Sequence, residues 1–474
     1  MATATALPGR RPSPTEPNNL GSLDFAYDLR NLGYIEEEFL LSGTAHAYEL
    51  IGGRGGDGQW SACRSASAPF TTRLVVRRPT DSARFSGTVL AEWLNVSGGT
   101  DLGHEWIFLH RHLIRRGDAW VGVSAQKAGI DGGSVLAGEA GVGEHLKRVD
   151  PARYAGLSHP GDAWAYDIFA QAGATIRDAA SGVLGELRTR RLIAAGFSQS
   201  ATFLTTYVNA IDALIPVIDG FLLHSRSAWG AEFDGRMAPG VDVAATRAER
   251  IRDDPRVPVV VLQTETDVLL LGSGRIAQPD SEHVRLWEPA GAAHVDTYLL
   301  FAAPHDDGTL PPERLAQLLR PTTQLPQGRT AELVNAAPQH HYVAHAAYES
   351  LVRWVAHAAP PPVTPRMNLS ADRTGFEPDE HGNATGGIRT PWMDVPTARL
   401  SGMNRASARL AKVFGTSAPF GQADVEALYP GGSNDYMQAF AKALDETISN
   451  GFILDADRAE ILALAEASYP RASQ

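Results

Sequence analysis

RLIAAGFSQSATFLTTYVNAI, residues 191–211, carries an apolar strand straight into an apolar helix through the turn Gly196-Phe197-Ser198-Gln199-Ser200. A serine in such a strand-to-helix turn is held in a strained conformation with its hydroxyl lifted above the sheet. It sits at a helix N-terminus whose dipole favours developing negative charge. Gly196 provides room on one side, and Ser200 stands where a second glycine is usual. Gly-x-Ser alone says little, since it also begins at Gly122, Gly132, Gly156, Gly415 and Gly431; only at Gly196 does it join an apolar strand to an apolar helix. Ser198 is therefore the candidate nucleophile, against the simpler reading of a serine that caps a helix.

Outward from this turn, short β-branched runs alternate with helical stretches. FTTRLVVRR (70–78), TVLAEWL (88–94), AWVGVSA (119–125), RLIAAGF (191–197), VIDGFLLH (217–224), VPVVVLQT (257–264) and VRLWEP (284–289) read as strands, several of them near-continuously apolar. That pattern fits parallel strands covered on both faces. EWIFLHRHLIRRG (105–117), WAYDIFAQAGATIRDAASG (164–182) and SATFLTTYVNAI (200–211) read as the helices between them. The alternation predicts an α/β fold with a mainly parallel central sheet flanked by helices. AHAAYESLVRWVAHA (344–358), stopped by three prolines at 360–362, closes that domain. Residues 1–20 read as a flexible tail, 21–362 as the main domain, and 363–474 as a loop-plus-helix extension that packs on the core or covers the site. In the extension, NDYMQAFAKALDETISN (434–450) ends at Gly451, and Asp455 reads as the N-cap of a last helix.

A serine hydroxyl becomes a useful nucleophile when an imidazole takes its proton and a carboxylate orients the imidazole. In chain order after Ser198, the strand VPVVVLQT is followed by Glu265-Thr266-Asp267, and VRLWEP by Ala290-Gly291-Ala292-Ala293-His294. Both groups fall at carboxyl ends of predicted strands, where an open α/β sheet places its ligand site. His294 is the candidate base. Asp267 is preferred as the acid, a few residues beyond the strand end, and Glu265 is the alternative. The oxyanion donors are read as the N–H of Gln199 and that of Asn95 or Val96, in the glycine-rich turn after TVLA. His224, Arg226, Arg389 and Trp392 are candidates for substrate contact, the last two from GGIRTPW (386–392).

The bulk composition excludes several classes. With 474 residues, 43% hydrophobic and 20% charged, the chain builds an enzyme-sized body. A net charge of −12 disfavours a nucleic-acid surface. Cys63, the single cysteine, reads as a half-buried thiol and allows neither an intrachain disulfide nor a cysteine-based metal centre. No apolar run is long enough to span a bilayer and no leader pattern is recognised, so a cytoplasmic location is expected. His340, His341 and His345 have helical spacing but no third ligand, and read as a solvated helix start. His104, His110 and His112 are assigned no metal, and Gly52 to Gly56 read as a hairpin or surface loop.

EWLNVSGG (92–99), AYDIFAQAG (165–173), GFSQSA (196–201), TETDV (264–268), AGAAH (290–294) and GNATGGIRTPWMDVP (382–396) together resemble the α/β-hydrolase superfamily. Within it they are similar to a bacterial group described as alpha/beta hydrolase domain-containing proteins, over most of residues 40–465. The resemblance implies the α/β-hydrolase fold, with Ser198, Asp267 and His294 in the catalytic roles derived above. The expected activity is hydrolysis of a small-molecule carboxylic ester or lactone through an acyl-enzyme, with no cofactor and no metal. A thioesterase or acyltransferase using the same groups, and a catalytically silent hydrolase-fold binding protein, are the alternatives.

Overall fold

The computed structural model describes residues 2–11, 23–133, 144–237, 247–276, 278–325, 328–405 and 410–470. The chain forms two compact units, one of residues 1–261, 275–285 and 351–359, the other of 262–274, 286–350 and 360–474. This division differs from the expected boundary after residue 362.

The first unit is built on β1 (Thr3–Leu7), β2 (Tyr34–Ile51), β3 (Ser61–Pro79), β4 (Thr88–Trp93), β5 (Ala119–Val123), β6 (Arg191–Phe197), β7 (Gly220–His224), β8 (Val259–Leu262) and β9 (Val284–Trp287). They form one nine-stranded sheet in the order β1-β2-β3-β5-β4-β6-β7-β8-β9. β1, β2, β3 and β5 are antiparallel neighbours, whereas β5, β4, β6 and β7 run parallel. Helices α1 (His104–Arg116), α2 (Ala165–Arg177) and α3 (Gln199–Thr206) provide the crossovers of this parallel part. The result is the expected mainly parallel sheet flanked by helices.

After β4 the chain crosses over to β5 on one side of β4, then returns to β6 on its other side. The direction of winding therefore reverses between β4 and β6, and a crevice opens at the carboxyl ends of strands at such a point. The segments leaving those two ends begin at Leu94 and Ser198.

β1 and β2 were not among the expected strands. Thr3–Leu7, assigned to a loose tail, pairs with residues 38–42 of β2 as an edge strand; residues 12–20 of that tail lie outside the described residues. β2 hides its character behind Glu36, Glu37 and Glu38. Each is matched across the ladder by a cation of β3: Glu36 by Arg77 at 2.7 Å, Glu37 by Arg78 at 2.7 Å and Glu38 by Arg73 at 3.1 Å. The glycines at 52–56 lie in the β2–β3 hairpin loop. Cys63 is exposed, contrary to the half-buried reading.

Two buried carboxylates fix the segment that follows β4. Glu92, on β4, accepts from the backbone N–H groups of Glu105 (2.9 Å) and Trp106 (3.0 Å) and from Trp120 Nε1 (2.8 Å). It satisfies the first amides of α1 from outside the helix, which begins after Gly103 with no side-chain cap. Asp101 accepts from Arg73 Nη2 (2.8 Å) and Ser124 Oγ (2.5 Å), so a guanidinium on β3 anchors the loop that follows β4.

The second unit contains α4 (Glu265–Leu269), most of α5 (Gln339–His357), α6 (Ser433–Ser449) and α7 (Arg458–Ser468). Its apolar core joins Val268, Ala290, Ala337, Met367, Ala384, Met393 and Leu400. Gly451 stops α6 in the left-handed region, with φ 83°. Asp455 opens a 3-10 turn, Asp455–Asp457, and is not the cap of α7. His340, His341 and His345 are not solvated. His340 Nδ1 lies 3.1 Å from Asp296, His345 Nδ1 lies 3.1 Å from Asp457, and the His341 ring stacks on Tyr298 at 3.6 Å. Among the described residues, no helix is long and apolar enough to cross a membrane.

Replacing Arg73 with methionine strands the buried Glu38 and Asp101 carboxylates without this cation, a loss worth ~3–5 kcal/mol. Urea denaturation of R73M should show a midpoint well below that of the wild type.

Candidate active site

In the first unit, β6 runs into α3 through Ser198, whose backbone has φ 59° and ψ −113°. A non-glycine residue in this region is strained by roughly 1–3 kcal/mol, and such strain is found where the surrounding structure over-determines it. Four features hold the turn. Ser198 N–H donates to the His224 carbonyl at 2.9 Å. Asn95 Nδ2 donates to the Phe197 carbonyl at 2.9 Å. A Cβ on Gly196 would meet Ser200 Oγ, Ser200 C and Leu204 Cδ1 at 3.0 Å, so only glycine fits without displacement. Ser200 Oγ accepts from Phe197 N–H (2.9 Å) and donates to the Phe197 carbonyl (3.0 Å). The hydroxyl at position 200 thus clasps the turn, which explains how serine replaces the usual glycine there.

The oxyanion candidates fare unequally. Gln199 is the first residue of α3, so its N–H belongs to the set that the helix leaves unpaired internally. Asn95 N–H donates to the Leu102 carbonyl at 2.9 Å in a β-bridge, which removes it as a donor to substrate and corrects that reading. Val96 N–H meets the Gln199 side-chain carbonyl at 3.2 Å, a longer and more replaceable contact. The Gln199 amide in turn donates to Gln126 Oε1 at 2.7 Å. Gln126, which no motif announces, links the two loops.

His224 and Arg226 are both fully buried. His224 Nδ1 lies 3.3 Å from Glu105, and its ring packs edge-on to Phe197 with centroids 4.9 Å apart. These contacts assign His224 to the support of the turn.

In the second unit, Asp267 and His294 are in contact: His294 Nδ1 lies 2.6 Å from Asp267 Oδ1. A proton on Nδ1, held by the carboxylate, selects the tautomer in which Nε2 carries the lone pair. Asp267 is itself held by the first turn of α4. Its Oδ2 accepts from Thr264 N–H (2.7 Å) and Thr264 Oγ (2.8 Å), and the Thr264 side chain accepts from Asp267 N–H. This is a capping box, legible in Thr264-Glu265-Thr266-Asp267 as a threonine three residues before an acid.

Glu265 faces elsewhere. Its Oε1 accepts from Gly291 N–H (2.7 Å), and its Oε2 from Gly402 N–H (2.8 Å) and Ser401 Oγ (3.3 Å). It ties the histidine loop to the C-terminal segment and does not touch the imidazole. Gly402 is packed so closely that a Cβ would lie 2.4 Å from Glu265 Cβ and 2.6 Å from Thr266 N. Asn335 Nδ2 adds bonds to the carbonyls of Gly291 (2.8 Å) and Ser401 (3.0 Å).

Arg389 and Trp392 are engaged within the same unit. Arg389 pairs with Asp379 (2.8 Å) and Asp394 (2.6 Å), and Trp392 stacks parallel to Tyr342 at 6.0 Å and edge-on to Phe440 at 5.3 Å. Both read here as scaffold. Composition alone suggested substrate contact because a cation beside an aromatic serves either purpose.

The chain belongs to the α/β-hydrolase family: the family model described as "Alpha/beta hydrolase domain" matches residues 7–463. Among solved structures it is similar to an esterase from Rhizomucor miehei, with 14% identity over 56% of this chain and 78% of that one and a TM-score of 0.30. It is also similar to a thermostable esterase from Pseudomonas putida, with 13% identity over 62% and 82% of the two chains and a TM-score of 0.29. A carboxylesterase from Lactobacillus plantarum shares 16% identity over 47% and 72%, with a TM-score of 0.25. Scores this low carry nothing about activity. No curated protein sequence matches the chain.

Burial raises the Glu265 carboxyl to about 7, outweighing its hydrogen bonds from Gly402, Gly291 and Ser401. An unfolded glutamate releases its proton near pH ~4.3. Between these values the folded state binds more protons than the unfolded one, so this group lowers stability as pH rises, with its full penalty above pH 7. Melting curves from pH 4 to 8 should therefore show a falling contribution that is absent in E265Q.

Proposed function

We propose that the protein is a serine hydrolase that cleaves a carboxylic ester or lactone through an acyl-enzyme, with Ser198 as nucleophile, His294 as base and Asp267 as the acid that orients it. The observation that carries this reading is the left-handed backbone of Ser198 between β6 and α3. The Asp267–His294 bond of 2.6 Å supports the remaining roles.

In this mechanism His294 Nε2 accepts the Ser198 proton as Oγ attacks the substrate carbonyl carbon. The oxyanion is received by Gln199 N–H and by Val96 N–H, which gives up the Gln199 side-chain carbonyl. Collapse breaks the carbon–oxygen bond, and His294 returns the proton to the leaving alkoxide. Water then adds to the acyl-enzyme as His294 takes one of its protons. Release of the acid restores the serine. Asp267 remains ionised throughout and stabilises the imidazolium.

Intact-protein mass spectrometry after treatment with a fluorophosphonate should show one adduct, mapped to Ser198 and lost in S198A. A catalytically silent binding protein would show none. D267N should lower kcat by a factor of ~10⁴, as expected when the orienting acid is lost. If E265Q does so and D267N does not, the acid has been misassigned.

A further inference from the structure

Two residues past the end of β7 the first unit buries a cation that has no carboxylate hydrogen-bonded to it among the described residues. Arg226 is 0% exposed, and Nη2 donates to the Glu249 backbone carbonyl at 2.5 Å. Among the described residues, Nε and Nη1 have no hydrogen-bond partner. The carboxylate of Glu249 is committed elsewhere. Its Oε1 accepts from Arg54 Nε (2.7 Å) and Arg247 Nη2 (2.7 Å), and its Oε2 from Arg54 Nη2 (2.8 Å) and Gly230 N–H (2.8 Å). Arg54 also reaches Glu232 at 3.1 Å. This cluster sets Arg54, Arg226 and Arg247 against Glu232 and Glu249, which leaves one positive charge over, and the guanidinium without a carboxylate is the deepest of the three. Burial pushes the Arg226 pKa down to about 10 against the attraction of the Glu249 carboxylate, so it stays charged at neutral pH.

The same short segment leaves further polar groups unsatisfied. Ser225 Oγ and Trp229 Nε1 are buried with no partner among the described residues. Ser225 has φ 57°, in the left-handed region that strains a non-glycine residue. Arginine and the indole N–H offer donors only, and a serine hydroxyl can donate as well. Leaving several buried donors, two of them on a charged group, without acceptors is costly, and such groups concentrate where a ligand completes them.

The segment borders the Ser198 turn on two sides. The His224 carbonyl receives Ser198 N–H at 2.9 Å. Thr202 Oγ, on the first turn of α3, contacts both the Ser198 carbonyl (3.1 Å) and Ser227 Oγ (3.2 Å). Arg226 therefore lies in the chain between His224, whose carbonyl binds the turn, and Ser227, which binds Thr202 on the helix that follows it.

We infer that Arg226 is a specificity residue that pairs with a carboxylate on the substrate, so that the preferred substrates are half-esters or lactones bearing a negative charge. This rests on the serine-hydrolase reading above. A carboxylate paired there displaces no protein acceptor from Nε or Nη1, and at a fully buried guanidinium the pairing is only weakly screened.

The test compares hydrolysis by the full chain of monomethyl glutarate and monomethyl adipate with that of methyl valerate and methyl hexanoate, matched in chain length. The wild type should favour the anionic esters by ~30-fold or more in kcat/KM, the range of a hydrogen bond to a charged group. In R226M the ratio should fall to near 1, and R226K should keep part of it. Glutarate, but not glutaramide, should slow fluorophosphonate labelling of Ser198 in the wild type. That measurement needs no variant and decides the matter even where R226M fails to fold. Equal rates on charged and neutral esters, together with no selective protection by glutarate, overturn the inference while leaving the hydrolase reading intact. Absence of labelling and of turnover on every ester overturns both.

Discussion

The structure depends on one strained residue. Ser198 occupies a backbone conformation that a side chain disfavours, and the neighbouring chain is arranged to hold it there. Asn95 holds the carbonyl before it, His224 receives its amide, and Ser200 closes a small ring of hydrogen bonds onto Phe197. The reversal of winding between β4 and β6 makes this possible, because it lets Asn95, which follows β4, reach the Phe197 carbonyl at the end of β6. Buried anchors stabilise both loops from behind, Asp101 through Arg73 and the start of α1 through Glu92.

Asp267 and His294 are organised by a different logic. Asp267 spends one oxygen on the start of α4 and the other on His294, so the helix cap and the imidazole share a single carboxylate. Glu265, two residues earlier and pointing the other way, binds the backbone of Gly291 and Gly402. Neighbouring carboxylates thus divide the work, one facing the ring and one fastening the loop that carries it. Asn335 and the segment that carries Ser401 and Gly402 are the framework of this loop.

Much of this was legible in the sequence where one local rule acts alone. The apolar run 191–197 followed at once by a small-residue turn and a helix marks β6 and α3, and the strands ending before Glu265 and near Ala290 mark the two other candidate positions. Legibility failed where long-range pairing decides the outcome. The three consecutive glutamates of β2 give no strand signal because their cations lie some 35–41 positions away on β3. His340 and His345 read as solvated because Asp296 and Asp457 are distant in the chain. The choice between Glu265 and Asp267 could have been narrowed by the capping pattern that starts at Thr264, but the partners of Glu265, at 291 and 402, carry no sequence signal beyond being glycine.

The bond from Gly402 to Glu265 also bears on how the molecule matures. The sheet and the Ser198 turn draw on residues made early, whereas the loop around His294 takes its support from Asn335, Ser401 and Gly402. A chain still emerging from the ribosome can complete the sheet and its strained turn long before that support has been synthesised. Translation order thus acts as a timer: the residues of the strained Ser198 turn are made first and those that fasten the loop of His294 last, so a chain clipped before residue 401 keeps every partner of the turn and loses the backbone partner that Gly402 gives Glu265.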